Sequence, residues 1–240
     1  MIELYAMASP NVQKIYLMLE ECGLDYRAHQ VNIWKGEQFE PGFVALNPNA
    51  KVPVIVDDDP AHGERQTVFE SGAILIYLAE KCGRLLPPAG PERHEVLQWL
   101  MIQLTGIGPM FGQFNHFTRF AAHDGYGVSR YTTEAERLYR LIDARLARCE
   151  FVGGDAYSVA DIATFPWFRV EAKLFGETHP FMRAGNPELP HLWRWFEVIA
   201  ARPAVKRALK RIDAHPSTLA TATTEEVDRV FGRGAHAYEV

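Results

Sequence analysis

The hydrophobic pattern of the chain changes its period at the Pro-rich stretch Leu86–Pro91. Before this stretch, short β-branched runs alternate with segments of helical spacing, which is typical of an α/β unit. The predicted strands are Ile2–Tyr5, Tyr26–Val31, Pro53–Asp57 and Thr67–Phe69. The predicted helices are Asn11–Cys22, Pro41–Leu46 and Ala73–Lys81. The order is βαβ, then α, then ββα.

Beyond the Pro-rich stretch the apolar residues recur at helical spacing and no strand is predicted. A long helix is expected from Glu92 to His123, with a kink or break near Gly108 because glycines and Pro109 interrupt it. Further helices are predicted at Arg130–Arg148, Val159–Lys173, Leu189–Ala201 and Ala204–Ile212. We therefore expect an α/β domain over 1–86, a linker over 87–91, an all-helical domain over 92–213 and a C-terminal tail over 214–240.

Composition narrows the possible partners. The hydrophobic content of 48% is ordinary for a globular protein, and a formal charge of −5 argues against nucleic acid as a partner. No run approaches the ~18 apolar residues of a membrane span, and the N-terminus lacks a signal peptide. Cys22, Cys82 and Cys149 are far apart and form no C-x-x-C, which argues against a metal site or a disulfide scaffold. These features predict a cytoplasmic protein.

Two motifs carry chemistry. Pro53 opens a β-branched run, where an X-Pro bond can be cis and where the N–H and C=O of Val52 would face outward from the sheet. Glu70 and Ser71 stand between a strand and a helix, and Ser71 is a natural N-cap at a helix end that attracts a carboxylate. Together they predict a cradle for a short peptide-like ligand that carries a carboxylate.

These motifs resemble the glutathione-binding residues of the glutathione transferase superfamily. The segment Tyr5–Asn11, the pair Trp99-Leu100 and the segment Gly106–Met110 narrow the resemblance to the nu-class and Ure2-like branch, over roughly residues 1–212. The resemblance implies a thioredoxin-like first domain, an all-helical second domain, a homodimer, and glutathione as cosubstrate. It also implies a disulfide oxidoreductase without an essential cysteine, which can hold two glutathiones or glutathione disulfide in each site.

The turn Ser9-Pro10-Asn11 is the candidate catalytic segment, because thioredoxin-like proteins carry their reactive group between the first strand and the first helix. Here no cysteine is present, so a hydroxyl and an amide are expected to donate hydrogen bonds to the thiol of glutathione and lower its pKa. A plain helix cap is the alternative for Ser9. Tyr5 competes for the activating role but is expected to pack, and ranks after Asn11.

By resemblance, Val52 and Pro53 pair with the main chain of glutathione, Glu70 receives its γ-glutamyl amino group, and Ser71 takes a carboxylate. Gln38 and Lys51 flank this cradle and are candidates for its glycyl carboxylate or main chain, or are ordinary loop residues. Arg130 is expected to open a helix and, by resemblance, to reach the partner subunit's site.

Other residues are open to two interpretations. Part of the aromatic cluster around Phe111, Phe114 and His116 is expected to form a wall for the second substrate, although aromatics at this spacing are more often core. Ser158 and Asp161 form a capping box, so we predict that Asp161 is structural and not a catalytic acid. The alternatives to a disulfide oxidoreductase acting on a small-molecule disulfide are a transferase acting on an electrophile and a non-catalytic glutathione-binding regulator.

Overall fold

The computed structural model describes residues 1–59, 63–215 and 217–236. The chain divides into two compact units, and the division falls inside two helices. One unit comprises Met1–Tyr77 with the described residues from Arg207 onward, and the other comprises Leu78–Lys206. This grouping differs from the predicted boundaries, because it assigns the chain after Arg207 to the unit that contains the sheet. No helix within the described ranges is long and apolar enough to cross a membrane.

The first unit contains a four-stranded sheet in the order β2-β1-β3-β4. Its strands are β1 (Ile2–Ala6), β2 (Tyr26–Gln30), β3 (Val54–Asp57) and β4 (Gln66–Phe69). β1 pairs parallel with β2, whereas β3 is antiparallel to both β1 and β4. This mixed sheet with its helices is the thioredoxin-like fold, and each predicted strand is present within two residues of its expected limits.

Three helices alternate with these strands along the chain. They are α1 (Pro10–Cys22) after β1, α2 (Pro41–Val44) between β2 and β3, and α3 (Ser71–Cys82) after β4. α1 is buried almost throughout, from Val12 to Leu19, which explains its apolar composition. It ends at Gly23, whose φ of 66° is the left-handed conformation that a helix stop prefers. The helix is therefore held firmly at both ends, and its start is fixed relative to the end of β1.

The second unit is helical, as predicted. Its helices are α4 (Gly90–Ile102), α5 (Gly108–Phe120), α6 (Gly125–Leu146), α7 (Val159–Phe175) and α8 (Pro190–Ala201), and α9 (Pro203–Asp213) runs across the division. The expected break near Gly108 takes the form of a π-helical turn, Gln103–Ile107, between α4 and α5. Gly127 lets α6 approach α5 closely, because a Cβ there would lie 2.4 Å from the Phe117 ring.

The predicted tail contains a further helix, α10 (Thr224–Phe231). It packs within the first unit against the short 3₁₀ helix Ile33–Lys35: the Lys35 ammonium bonds Glu226 at 2.5 Å, and the Trp34 and Phe231 rings meet edge to face. Thr223 and Glu226 form a capping box at its start. The described part of the tail is therefore an ordered element of the sheet unit.

Candidate functional site

Three segments that carry predicted glutathione residues lie at one end of the sheet in the first unit. β1 ends there and leads to Ser9, and the start of β3 lies beside it because Tyr5 pairs with Val54. Val54 also pairs with Phe69, so the end of β4 and the following Glu70 lie at the same end. Strand pairing therefore brings together three segments that are distant in sequence.

The first side of this site is the Val52-Pro53 edge. The peptide bond between these residues is cis, as the sequence suggested. Val52 precedes β3, and its N–H and C=O make no hydrogen bond to any described residue. An extended peptide could therefore pair with Val52 as an additional strand does at a sheet edge.

The loop before Val52 is held by Asn47, whose role the sequence did not reveal. Asn47 is buried; its amide donates to the Lys51 carbonyl at 2.7 Å and its oxygen accepts from the Asn49 N–H at 3.0 Å. The sequence Asn47-Pro48-Asn49 could have predicted this role, since an Asn side chain commonly forms a hydrogen bond with the backbone two residues further along the chain. The Lys51 side chain is exposed at this rim.

The second side is the Glu70-Ser71 corner. Glu70 has a φ of 68°, in the left-handed region that costs a non-glycine residue about 1–2 kcal/mol. Its carbonyl accepts the Ile74 N–H at 2.9 Å, so Glu70 is the N-cap of α3 and Ser71 its first residue. The prediction that Ser71 is the cap was wrong by one position, because the chain turns into the helix at Glu70. The Asn49 amide donates to the Glu70 carboxylate at 3.3 Å and links the two sides.

Behind this corner lies Lys14, which we did not predict. Its side chain is 1% exposed, and its ammonium donates to the Ser71 hydroxyl oxygen at 3.2 Å. Burial lowers the pKa of Lys14 to about 7, and the Glu70 charge opposes this shift in part. In the sequence, Lys14 interrupts a buried apolar face of α1, and that interruption was the only sign of its role.

Ser9 is the N-cap of α1, and its oxygen accepts the Val12 N–H at 3.4 Å. The cap that we considered as an alternative is therefore present. A hydroxyl has one donor and two acceptor sites, so this bond leaves the Ser9 proton available to a ligand. Asn11 lies at the second position of α1 and is partly exposed. Ser9 and Asn11 thus share the positive end of one helix.

Tyr5 packs, as expected. Its ring stacks on His29 at a centroid distance of 5.1 Å and meets the Phe43 ring edge to face. It belongs to a small apolar cluster with Val31 and Val54. The Tyr5 ring therefore has the packing role that the sequence favoured.

Gln38 lies on the segment after β2 and is 4% exposed. Its side-chain carbonyl oxygen is buried with no hydrogen-bond partner in the described part of the chain. Buried polar groups are nearly always paired. The Gln38 carbonyl oxygen can therefore accept one further hydrogen bond.

Arg130 lies in the second unit and is exposed, with its guanidinium 3.7 Å from Glu134. We expected it to open α6, but α6 begins at Gly125, with Asp124 as its cap. Arg130 therefore lies in the second turn, and the prediction that it opens the helix was wrong. The helix starts earlier because Asp124 accepts the Gly127 N–H at 3.0 Å.

The aromatic cluster divides into two parts. Phe111 and Phe114 are fully buried: Phe111 stacks on Tyr139, and Phe114 meets Phe175 edge to face. Both rings therefore belong to the core of the helical unit, which is the more frequent place for aromatic residues at this spacing, and they form no part of a substrate wall. His116 and Phe117 are only partly buried, and the two rings contact each other.

Comparison with known proteins shows the family of this chain. The glutathione S-transferase N-terminal domain matches residues 8–81, and the glutathione S-transferase C-terminal domain matches residues 128–203. The chain belongs to the glutathione S-transferase family. It is 44% identical to disulfide-bond oxidoreductase YfcG of Escherichia coli (strain K12), over 87% of this chain and 94% of that protein. It is 41% identical to disulfide-bond oxidoreductase YghU of the same strain, over 86% of this chain and 73% of that protein.

Solved structures of the family are also similar. A family member from Pseudomonas fluorescens pf-5 with two glutathiones bound has a TM-score of 0.80 and 43% identity, covering 87% of this chain and 92% of that one. A glutathione transferase from Pseudomonas putida with one glutathione disulfide per subunit has a TM-score of 0.80 and 40% identity, covering 87% and 90%. Ure2p in complex with glutathione is more distant, with a TM-score of 0.77 and 30% identity, covering 87% of this chain and 92% of that one.

Proposed function

We propose that this protein is a glutathione-dependent disulfide-bond oxidoreductase of the nu-class type. The observation that carries the proposal is the meeting of Ser9, the unpaired Val52 backbone and the Glu70-Ser71 corner at one end of the sheet. The relatives named disulfide-bond oxidoreductases and the similar structures with glutathione or its disulfide support the same chemistry.

In this proposal glutathione lies across the sheet end as an extended peptide. Its cysteinyl main chain pairs with Val52 beside the cis Pro53, and its γ-glutamyl amino group meets Glu70 while the adjacent carboxylate meets Ser71. Lys51 meets the glycyl carboxylate, and the Gln38 carbonyl oxygen accepts a main-chain N–H of the ligand. The residues fit the ligand, because the Val52 backbone and the Gln38 carbonyl oxygen remain unpaired in the described chain.

The cysteinyl sulfur then lies near Ser9 and Asn11. Hydrogen bonds from the Ser9 hydroxyl and the Asn11 amide stabilise the thiolate and lower the pKa of the bound thiol. The α1 N-terminus favours the same negative charge. Because the thiolate is the nucleophile in disulfide exchange, this increases the fraction of glutathione able to attack.

The reaction uses two glutathiones. The first thiolate attacks one sulfur of a small-molecule disulfide, forms a mixed disulfide and releases the other sulfur as a thiolate. A second glutathione thiolate attacks the glutathione sulfur of the mixed disulfide and releases the remaining thiolate. The products are glutathione disulfide and two thiols, after the two thiolates take up the protons that the two glutathiones lost.

Replacing Ser9 by Ala tests the proposal. We expect turnover of hydroxyethyl disulfide to fall about 10- to 150-fold, the equivalent of losing one charge-assisted hydrogen bond of about 1.5–3 kcal/mol. Glutathione affinity should change little, because the cradle at Val52, Glu70 and Ser71 is intact. Steady-state kinetics coupled to glutathione reductase give the turnover, and calorimetry gives the affinity.

Ser9→Thr is the matched control, since it keeps both the cap and the hydroxyl donor, and it should keep most of the activity. Full turnover in the Ser9→Ala protein would contradict the proposed role and move it to Asn11. Activity on an aryl halide that exceeds activity on hydroxyethyl disulfide would favour the transferase alternative. Glutathione binding with neither activity would favour the regulator.

A homodimer is the second part of the proposal, with Arg130 of one subunit completing the site of the other. Its guanidinium is 53% exposed. Its ion-pair partner Glu134 is already held by two bonds from Arg137, at 2.7 and 3.0 Å. Arg130 can therefore turn to a carboxylate of a second glutathione, for which its planar fork is suited.

We expect Arg130→Ala to weaken glutathione disulfide binding at least tenfold and binding of a single glutathione less than threefold, because only the second glutathione meets this residue. Calorimetry with each ligand measures the difference. Arg140→Ala on the same helix is the control and should affect the two ligands equally, because Arg140 pairs with Glu136 and not with Glu134. A fully active monomer by light scattering at micromolar concentration would refute the shared site.

A cytoplasmic location completes the proposal, because a glutathione-driven reductase needs a compartment where glutathione is kept reduced. Fractionation of cells that express the protein tests it directly.

A further inference from the structure

Lys14 is the most deeply buried cation close to the proposed site. It lies on α1, only 1% exposed, and its ammonium is 3.2 Å from the hydroxyl oxygen of Ser71, which is itself 6% exposed. Burying an ammonium costs several kcal/mol unless it is compensated. A hydrocarbon side chain would fill this space without that cost, so the charge invites a functional explanation.

The direction of the Lys14–Ser71 hydrogen bond has a consequence for the ligand. The protonated form of Lys14 has only donors, so in this form the Ser71 oxygen must accept and the Ser71 proton must point elsewhere. A ligand carboxylate close to Lys14 favours this protonated form. The first N–H groups of a helix have no partner inside the helix, and Ser71 is the first residue of α3. A carboxylate placed at this end would accept from these amides and from the Ser71 hydroxyl together.

We infer that Lys14 is a positioning residue for the γ-glutamyl carboxylate of glutathione. It acts through Ser71, by holding the hydroxyl in the donating orientation and by placing a positive charge behind it. The inference rests on the proposed function, because it assumes that glutathione occupies the cradle. Bonds in such a chain polarise one another, so the bond from Lys14 strengthens the bond that Ser71 gives to the ligand.

The neighbouring charge is consistent with this role. Glu70 is adjacent to Ser71, and its charge favours the protonated form of Lys14. A γ-glutamyl group carries an amine and a carboxylate on one carbon. Glu70 offers an anion for the amine, and Ser71 backed by Lys14 offers a donor for the carboxylate, so the corner matches both charges of the ligand.

Replacing Lys14 by Met tests the inference, since Met has a similar length and no charge. Binding is measured by calorimetry with glutathione and with 4-aminobutanoyl-cysteinylglycine, which lacks only the γ-glutamyl carboxylate. We expect Lys14→Met to weaken glutathione binding at least tenfold and analogue binding less than threefold. The Michaelis constant for glutathione should rise, while turnover at saturating glutathione stays within twofold of the wild type.

Two further variants separate positioning from general structure. In a protein that already has Ser71→Ala, adding Lys14→Met should cause little further loss of glutathione affinity, because Lys14 acts on the ligand through the Ser71 hydroxyl. Lys14→Arg should restore part of the discrimination between the two ligands. If Lys14→Met folds poorly, Lys14→Gln serves in the same comparison, because its amide no longer dictates the orientation of the hydroxyl.

Equal losses for both ligands, or additive effects of the Lys14 and Ser71 changes, would overturn the inference. So would unchanged glutathione affinity in the Lys14→Met protein. Failure of the proposed function looks different: the unmodified protein itself would then fail to bind glutathione, or would bind both ligands with equal affinity.

Discussion

The two ends of α7 each carry a buried acid, Asp161 near the start of the helix and Glu171 near its end. Both side chains are at most 1% exposed. Burial raises the pKa of Asp161 to about 6 and that of Glu171 to about 8. The same physical cause therefore acts on both groups, and the difference between them comes from their hydrogen bonds.

Asp161 is surrounded by donors. It accepts the Val152 N–H at 2.7 Å, the Ser158 N–H at 2.9 Å, the Ser158 hydroxyl at 3.0 Å and the Trp195 indole N–H at 2.8 Å. Bonds to the charged form favour it and oppose burial. The predicted capping box is confirmed, and Asp161 joins the start of α7 to α8 and to the preceding loop.

Glu171 has far fewer donors. No hydrogen bond of normal geometry reaches either carboxylate oxygen, or the nearby Tyr139 hydroxyl, from the residues that the structure describes. The Asn115 side chain and the Arg119 charge offset only part of the effect of burial on the Glu171 pKa. The comparison teaches that a buried acid is a structural anchor when donors surround it, and keeps its proton at neutral pH when they do not.

The largest effect should come from Asp161→Ala. This change leaves at least three buried donors unsatisfied, each worth about 1–3 kcal/mol, so we expect a loss of about 3–5 kcal/mol in the free energy of unfolding. Urea unfolding at pH 7.5 measures it, and Asp143→Ala, at a partly exposed acid of the same unit, provides a comparison. A loss below about 1 kcal/mol would show that Asp161 is no anchor.

Glu171→Gln should reveal the second acid through pH. The folded protein keeps the Glu171 proton up to about pH 8, whereas the unfolded chain releases it near its ordinary pKa of 4.5. Between these values the folded state binds more protons, so this group makes stability fall as pH rises. We expect the wild type to lose about 2–4 kcal/mol relative to the Gln variant from pH 5 to pH 8.

The difference between the two proteins isolates Glu171, because Asp161, whose pKa is about 6, titrates in the wild type and in the Glu171→Gln variant alike. Parallel pH profiles of stability for wild type and Glu171→Gln would show that Glu171 is ionised in the folded protein, and the contrast between the two acids would then disappear.

Ser158→Ala should have the smallest effect. It removes the cap bond to the Ala160 N–H and one of the donors to Asp161, for a cost of about 1 kcal/mol. Turnover of hydroxyethyl disulfide should be unchanged, because the capping box takes no part in chemistry. Thermal unfolding measures the stability of the variant, and steady-state kinetics on the same preparation measure its turnover. A large fall in the turnover of a folded variant would contradict the structural role of Ser158. Ser158→Thr, which keeps the hydroxyl, should retain most of the stability.

The features that the sequence predicted are local. The Ser158–Asp161 box, the Gly23 helix stop and the strand limits depend on residues a few positions apart, so spacing alone identified them. Two local predictions failed at helix starts. Ser71 follows the true cap, Glu70, because Glu70 adopts a left-handed conformation, and Arg130 lies inside α6 because Asp124 caps it earlier.

Tertiary structure decided the rest, because burial and hydrogen bonding depend on residues far apart in the chain. Lys14 meets Ser71 across α1 and α3, Glu171 faces Tyr139 from a neighbouring helix, and the tail packs on Ile33–Lys35 through α10. In the sequence, Lys14 and Glu171 resemble ordinary charged surface residues. The sequence by itself determined the two kinds of unit and the residues that meet at the sheet end, since strand pattern and motif order encode both. Which charges are buried, and which partners they find there, was determined only when the chain folded, because the free energy of a buried charge depends on every group packed around it.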